Sequence, residues 1–245
     1  MGYLLAFVRF ILLFLISTIT VLSILLFSGF QIPRAMRIRR LWAKSLFFFL
    51  NIKLVRRGNL PEGPGLLVGN HRSYIDPIGV LNEVLACPVA KAEVEKWPVI
   101  GVGAKLSGII YVKREDKTDR KNALSSLVEA IQEGQQVMIY PEGTTAGEPT
   151  TLPFRYGGFA MALQHGFTVI PMAVEYRNPG MYWVGKDTFL PHFFRTFKSW
   201  QNQIFIHYGT PLSGDTPEEM AQHAMNWINE TIAGFRAEWT ETQIP

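Results

Sequence analysis

Residues 10–33 carry no charged side chain and run from Phe10 through Leu-, Ile- and Phe-rich sequence to Pro33. The only polar side chains are Ser17, Thr18, Thr20, Ser23, Ser28 and Gln31. All but the last are hydroxyls, which can bond back to their own helix. As a helix, these residues reach roughly 36 Å, against a hydrocarbon core of roughly 30 Å. A soluble core helix would show a polar face, and this run has none. It is too long for a cleaved signal peptide, and no small-x-small site follows it. The pattern predicts a membrane-associated helix, which either spans or turns back at Ser28-Gly29 within one leaflet. Residues 34–50 then interleave Arg34, Arg37, Arg39, Arg40 and Lys44 with Leu41, Trp42, Leu46 and Phe47 to Phe49. That pattern predicts an interfacial helix.

After Gly65 the periodicity changes. Leu66 to Gly69, Pro88 to Ala92, Gly108 to Val112, Gln136 to Tyr140, Thr168 to Val174 and Ile204 to Ile206 read as short strands. Between them lie helical stretches. Asp76-Pro77 opens one through about Leu85, with Asp as cap and Pro at the first helical position. A second spans 119–133, with Ala123, Leu124, Leu127, Val128 and Ile131 on one stripe and Gly134 ending it. A third runs from Gly158 to His165. Thr216-Pro217-Glu218-Glu219 is a capping box opening a last helix, with Met220, Ala224, Ile228, Ile232, Phe235 and Trp239 inward. Ile170-Pro171 places a proline in a strand, which predicts an edge or a bulge. Strands alternating with helices predict an α/β fold: a largely parallel sheet flanked by helices, preceded by an N-terminal membrane-associated helical segment.

Charge divides the chain in two. Residues 1–61 hold nine Lys or Arg and no acid, whereas the remaining 15 bases face 20 acids. We therefore expect membrane-anchoring helices with a basic flank over 1–61 and an α/β domain over 62–245. The excess of cations after residue 33 puts that domain on the cytoplasmic side of the inner membrane. Hydrophobic residues at 48% exclude a disordered chain. An acidic domain argues against a nucleic-acid partner. The single cysteine, Cys87, excludes an internal disulfide.

Three strand ends carry chemistry. In Asn70-His71-Arg72-Ser73-Tyr74-Ile75-Asp76, a strand–turn–helix corner can return the Asp76 carboxylate to the His71 imidazole. That contact would fix the tautomer and leave the other ring nitrogen as a base. The alternative is an N-cap beside a loop histidine. Because the chain has no Gly-x-Ser-x-Gly elbow, a basic His71 would act on a hydroxyl brought by the substrate. Gly108 to Arg114 is an apolar strand ending in Lys113 and Arg114, suited to a phosphate or simply solvated. In Tyr140-Pro141-Glu142-Gly143-Thr144-Thr145 the turn presents amides, and Glu142 can accept from substrate hydroxyls. The histidines are scattered and no His-Glu-x-x-His exists, so no metal site is expected. Gly101 and Gly103 lack the third glycine of a dinucleotide loop.

Together these blocks resemble the glycerolipid acyltransferase superfamily, most closely the bacterial 1-acylglycerol-3-phosphate acyltransferases, over roughly residues 50–210. His71 and Asp76 match its His-x4-Asp pair. Gly108 and Arg114 match its acceptor motif, and Pro141, Glu142, Gly143 and Thr144 its Pro-Glu-Gly-Thr motif. Pro171 matches its fourth block. Lys91 resembles the lysine of a Lys-x-Glu segment continuing toward Trp97, Pro98 and Gly101. Arg155 with Gly157 stands in for a later Lys-x-Gly. The resemblance implies catalytic His71 and Asp76, with Arg114, Glu142, Gly143, Thr144, Lys91 and Arg155 at the substrate. It further implies acyl transfer from acyl-CoA or acyl carrier protein to the free hydroxyl of a lysophospholipid. That acceptor would be 1-acylglycerol 3-phosphate, giving phosphatidic acid. No cofactor beyond the acyl donor is implied, and the partners are these substrates and membrane lipids. One departure bears on the acceptor: Thr145-Ala146 occupies the place of the usual Arg-Ser. A different lysolipid acceptor, a lipid hydrolase or thioesterase, and a non-catalytic membrane scaffold stay open as alternatives.

Overall fold

A computed structural model describes residues 1–113 and 115–241. Seven strands form one sheet: β1 (Ile52–Arg57), β2 (Gly65–Gly69), β3 (Ala86–Lys91), β4 (Ile110–Val112), β5 (Gln136–Ile139), β6 (Val169–Tyr176) and β7 (Asn202–Tyr208). Their order is β1-β7-β6-β2-β5-β3-β4. Only the β6–β7 pair is antiparallel. Among the described residues eight α-helices accompany the sheet: α1 (Gly2–Phe27), α2 (Ile32–Phe49), α3 (Ile75–Glu83), α4 (Ile100–Leu106), α5 (Lys117–Gln132), α6 (Gly157–His165), α7 (Phe189–Phe197) and α8 (Pro217–Glu241).

Strand alternation sorts the core into two layers. Leu67, Met172, Ile204 and Ile206 face one side, where they pack with Leu46 and Phe47 of α2, Val80 of α3 and Phe193 of α7. Leu66, Val68, Val137 and Ala173 face the other, against Leu127 and Ile131 of α5, Phe159 of α6 and Ile228 and Ile232 of α8. The sheet is thus covered on both faces, as a largely parallel sheet requires.

The two N-terminal helices form a hairpin. Gly29 and Phe30 take positive φ values of 59° and 58°, and the chain turns back so that α2 packs against α1. Trp42 donates its indole N–H to the Ser17 hydroxyl at 2.9 Å across that contact. On α1, Ala6, Arg9, Leu13, Ser17 and Ile24 are buried, while Leu4, Phe7, Ile11, Leu15, Leu22 and Leu26 are exposed. Both sets follow helical periodicity. Arg9 accounts for the charge near the start of the run. Its guanidinium donates to the carbonyls of Phe197, Ser199 and Trp200 at 2.6–2.9 Å, capping the C-terminal end of α7.

Three expectations change. Residues 52–57, placed in the membrane head from sequence, form β1 and pair in parallel with β7. The sheet therefore begins ahead of residue 61. Lys53, Arg56 and Arg57 mask the strand pattern, because an edge strand carries cations where a central one could not. Pro171 is not on an edge strand: β6 lies between β2 and β7. Its carbonyl accepts from Gly209 at 2.9 Å, one position beyond the last β7 pair at Met172–Tyr208. The proline thus sits where the β7 ladder ends and its missing N–H leaves no gap in it. Finally, α3 starts at Ile75, so Asp76 lies in its first turn and Tyr74 is the cap residue.

Candidate active site

The site forms at the C-terminal ends of β2 and β5, at the sheet's centre. Beyond Gly69 the β2 backbone turns away, and the Asn70 side chain takes over the ladder. Its amide donates to the Val174 carbonyl and accepts from the Val174 N–H, both at 2.8 Å. This clamp fixes where His71 leaves the sheet.

His71 Nδ1 lies 2.7 Å from Asp76 Oδ2. The same oxygen accepts the backbone N–H groups of Arg72 at 2.6 Å and Ser73 at 2.8 Å. The other oxygen, Oδ1, accepts the Tyr176 hydroxyl at 2.5 Å. Asp76 is fully buried, and the backbone and phenol groups that meet its carboxylate are all donors, so it serves as the acceptor. His71 thus presents Nδ1–H to Asp76, and Nε2 is the ring nitrogen outside that contact. The imidazole stacks on the Tyr140 ring, with centroids 4.2 Å apart and planes 16° from parallel. Burial and the Asp76 charge push both Tyr140 and Tyr176 well above the usual phenol range. Both phenols stay neutral.

The turn after β5 closes over this pair. Glu142 Oε1 accepts the His71 N–H at 2.9 Å and Oε2 the Leu152 N–H at 3.2 Å. Burial raises the Glu142 carboxyl, opposed by these two amides. Glu142 is buried, outside the cavity lining, and braces the histidine turn. Gly143 has φ +75°, and a Cβ there would fall 2.9 Å from the Arg155 guanidinium carbon, so the tight turn requires glycine. Arg155 thus lies over Gly143, exposed and outside the cavity. Thr144 and Lys91 do line the cavity. Arg114 lies outside the described residues.

His71 opens into a cavity of about 490 Å³ between the helical hairpin and the sheet. Its wall is mainly apolar, including Leu13, Val21 and Ile24 of α1, Trp42 and Leu46 of α2, and Ile78 of α3. Among the described residues, the charged side chains on it are Arg39, Lys91 and Glu93. Arg39 is nearly fully buried and donates to the carbonyls of Ala86 and Ser107. Burial lowers its guanidinium to about 10. Among the described residues no cluster of His, Cys, Asp or Glu could hold a metal.

Sequence reasoning missed the support beneath the turn. Arg72 is fully buried and donates to the carbonyls of Ala146 and Glu148 at 3.1 and 2.7 Å. It faces Glu175 at 3.5 Å, which also pairs with Arg236 of α8 at 2.8 Å. The available signal was Glu175 itself, an acid inside the otherwise apolar run Val169–Tyr176. The Trp183 N–H donates to the Arg72 carbonyl at 2.9 Å.

A family model described as Acyltransferase matches residues 51–175, about half the chain. The lyso-ornithine lipid O-acyltransferase of Pseudomonas aeruginosa is 29% identical over 213 residues, covering 84% of this chain and 82% of that protein. The 1-acyl-sn-glycerol-3-phosphate acyltransferase alpha of Homo sapiens is 27% identical over 209 residues, covering 82% and 70%. Among solved structures, the 1-acyl-sn-glycerophosphate acyltransferase PlsC from Thermotoga maritima superposes with a TM-score of 0.75 at 18% identity, over 97% of this chain and 98% of that one. That likeness covers the helical hairpin as well as the sheet. With the His71–Asp76 pair at the end of β2 and the Pro-Glu-Gly-Thr turn closing over it, the chain belongs to the acyltransferase family.

Proposed function

We propose that the protein transfers a fatty acyl group from a thioester, acyl-CoA or acyl carrier protein, to the free hydroxyl of a lysolipid in the membrane. The observation that carries this reading is the His71–Asp76 contact at 2.7 Å at the mouth of an apolar cavity. The acceptor hydroxyl gives its proton to His71 Nε2 as its oxygen attacks the thioester carbonyl. Asp76 stabilises the imidazolium that forms. When the carbonyl reforms and the C–S bond breaks, that proton passes to the leaving thiolate. The acyl group goes directly from sulfur to the acceptor oxygen, so no enzyme nucleophile is needed. In this reading Thr144, which lines the cavity, and the amides of its turn hold the oxyanion. An acyl chain fills the apolar cavity.

The hairpin supports a seat in one leaflet. The outward face of α1 is apolar, and α2 exposes Arg34, Arg37 and Lys44 beside Leu41 and Phe48. Such a surface rests its apolar side chains among acyl tails and its cations on anionic headgroups. The cation excess after residue 33 supports the cytoplasmic leaflet, whose headgroups are anionic.

The test is transfer of a long-chain acyl group from acyl-CoA to lysolipids in mixed micelles by wild type and His71→Ala. The variant is expected to lose about 10³-fold in rate with an unchanged circular dichroism spectrum. Near-wild-type transfer by a folded His71→Ala protein overturns the reading.

A further inference from the structure

Among the described residues, the cavity that His71 lines carries the aromatic rings of Tyr74, Trp97, Trp183 and Phe189 and, as cations, Arg39 and Lys91. Thr145, directly after the Thr144 that lines the cavity, donates its hydroxyl to the Trp183 carbonyl. Ala146 is buried, and its N–H donates to the His71 carbonyl at 2.8 Å. This turn therefore sends no positive charge into the cavity, and its hydroxyl instead positions Trp183. The Trp183 N–H is held by the Arg72 carbonyl and its indole N–H by the Asp187 carbonyl at 2.6 Å. The ring so fixed stands edge-on to Tyr74 at 4.8 Å and 6.1 Å from the Trp97 ring. Trp97 leans in turn on Phe189 at 5.2 Å. Tyr74, Trp97, Trp183 and Phe189 all line the cavity that His71 lines, and Glu93 adds a carboxylate to the same wall.

Electrostatics decides what such a wall accepts. The faces of indole and phenol rings attract cations, and do so more strongly where water is excluded. They and a carboxylate disfavour a doubly charged phosphate monoester. Of the cations on the described lining, Arg39 is held by two carbonyls inside the protein, which leaves Lys91 at the end of β3. A lining of aromatic rings, one carboxylate and one lysine complements a head group of both signs.

We propose that the acceptor is a lysolipid whose head group ends in an ammonium, seated against Trp97 and Trp183, with its anionic part toward Lys91. The proposal rests on the acyl-transfer reading and names the acceptor that reading leaves open.

The experiment gives the purified protein one long-chain acyl-CoA and three acceptors in the same mixed micelles. These are 1-acylglycerol 3-phosphate, a lysophosphatidylethanolamine and a lyso-ornithine lipid, with products read by mass spectrometry. Wild type is expected to favour the two ammonium-bearing acceptors in kcat/KM. Trp97→Leu is expected to narrow that preference about tenfold, the scale of a desolvated cation–π contact. Thr145→Arg, which puts a guanidinium on the turn and releases Trp183, is expected to move the preference toward the phosphate monoester. A wild type that prefers 1-acylglycerol 3-phosphate overturns the head-group assignment and leaves acyl transfer standing. A preference for ammonium acceptors that neither substitution moves overturns the aromatic seat. Free fatty acid as the only product, with none of the three acceptors acylated, overturns this proposal and the acyl-transfer reading together.

Discussion

The Tyr176 hydroxyl donates to Oδ1 of Asp76 at 2.5 Å, while His71 holds Oδ2. A phenol one hundred residues along the chain thus shares the carboxylate that orients the imidazole. Both Tyr176 and Asp76 are buried, so no solvent competes for either oxygen. Removing the hydroxyl leaves Oδ1 without its donor in a low-dielectric site and throws more of the carboxylate's charge onto His71. Tyr176→Phe is expected to lower kcat about tenfold with little change in KM. A wild-type kcat in the folded variant would show that Tyr176 only fills space.

Glu142 connects stability to pH at the same turn. Burial raises its carboxyl, so the folded protein holds this proton more tightly than the unfolded chain does. The associated stability is fully present below the ordinary glutamate range and is lost as pH rises through the raised folded value. Glu142→Gln removes this titration. The difference in Tm, wild type minus variant, is expected to be largest below the ordinary glutamate range and to fall as pH rises above it. A difference that stays flat or grows with pH counts against the raised carboxyl. The amide oxygen can still accept from one N–H, but its NH2 group then faces the second N–H, of His71 or Leu152. Activity is expected to drop about tenfold as the turn shifts.

His71 and Asp76 were legible in sequence because their contact is local, made across one strand–turn–helix corner. The long apolar first helix was legible because nothing but membrane or a protein face tolerates so long an uncharged run, whereas its turn back at Gly29 and Phe30 was one of two readings. What stayed hidden depends on contacts distant in the chain. Tyr176 reaches Asp76 only because β6 lies beside β2, an adjacency that no local pattern encodes. Glu142 looked substrate-facing because an acid in a turn ordinarily meets solvent; only the positions of His71 and Leu152 turn it inward. β1 was hidden by its own cations. Arg9, which stands out in an apolar run as a flank, proved to be a cap on α7, whose start lies 180 residues later.

The cavity makes a prediction about chain length through Gly103 on α4. Gly103 lines the cavity beside Val21 and Ile24 of α1, and a Cβ there would meet Val21 Cγ2 at 3.1 Å. A larger side chain has two destinations: against α1, or into the empty volume. Overpacking against α1 costs about 1–3 kcal/mol, whereas filling an apolar void does not. Replacing glycine inside a helix also regains roughly 0.5–1 kcal/mol of propensity. Gly103→Leu is therefore expected to keep the fold and to shorten the space open to an acyl chain. Competition among acyl-CoAs of graded length, with products read by mass spectrometry, is expected to show a preference moved to shorter chains. Gly103→Ala is expected to move it less. Grading the acceptor's chain in a second series identifies which substrate lies there, since only that substrate's length preference should move. If neither preference moves while thermal unfolding shows an intact fold, no acyl chain reaches Gly103 and the cavity does not serve as its channel.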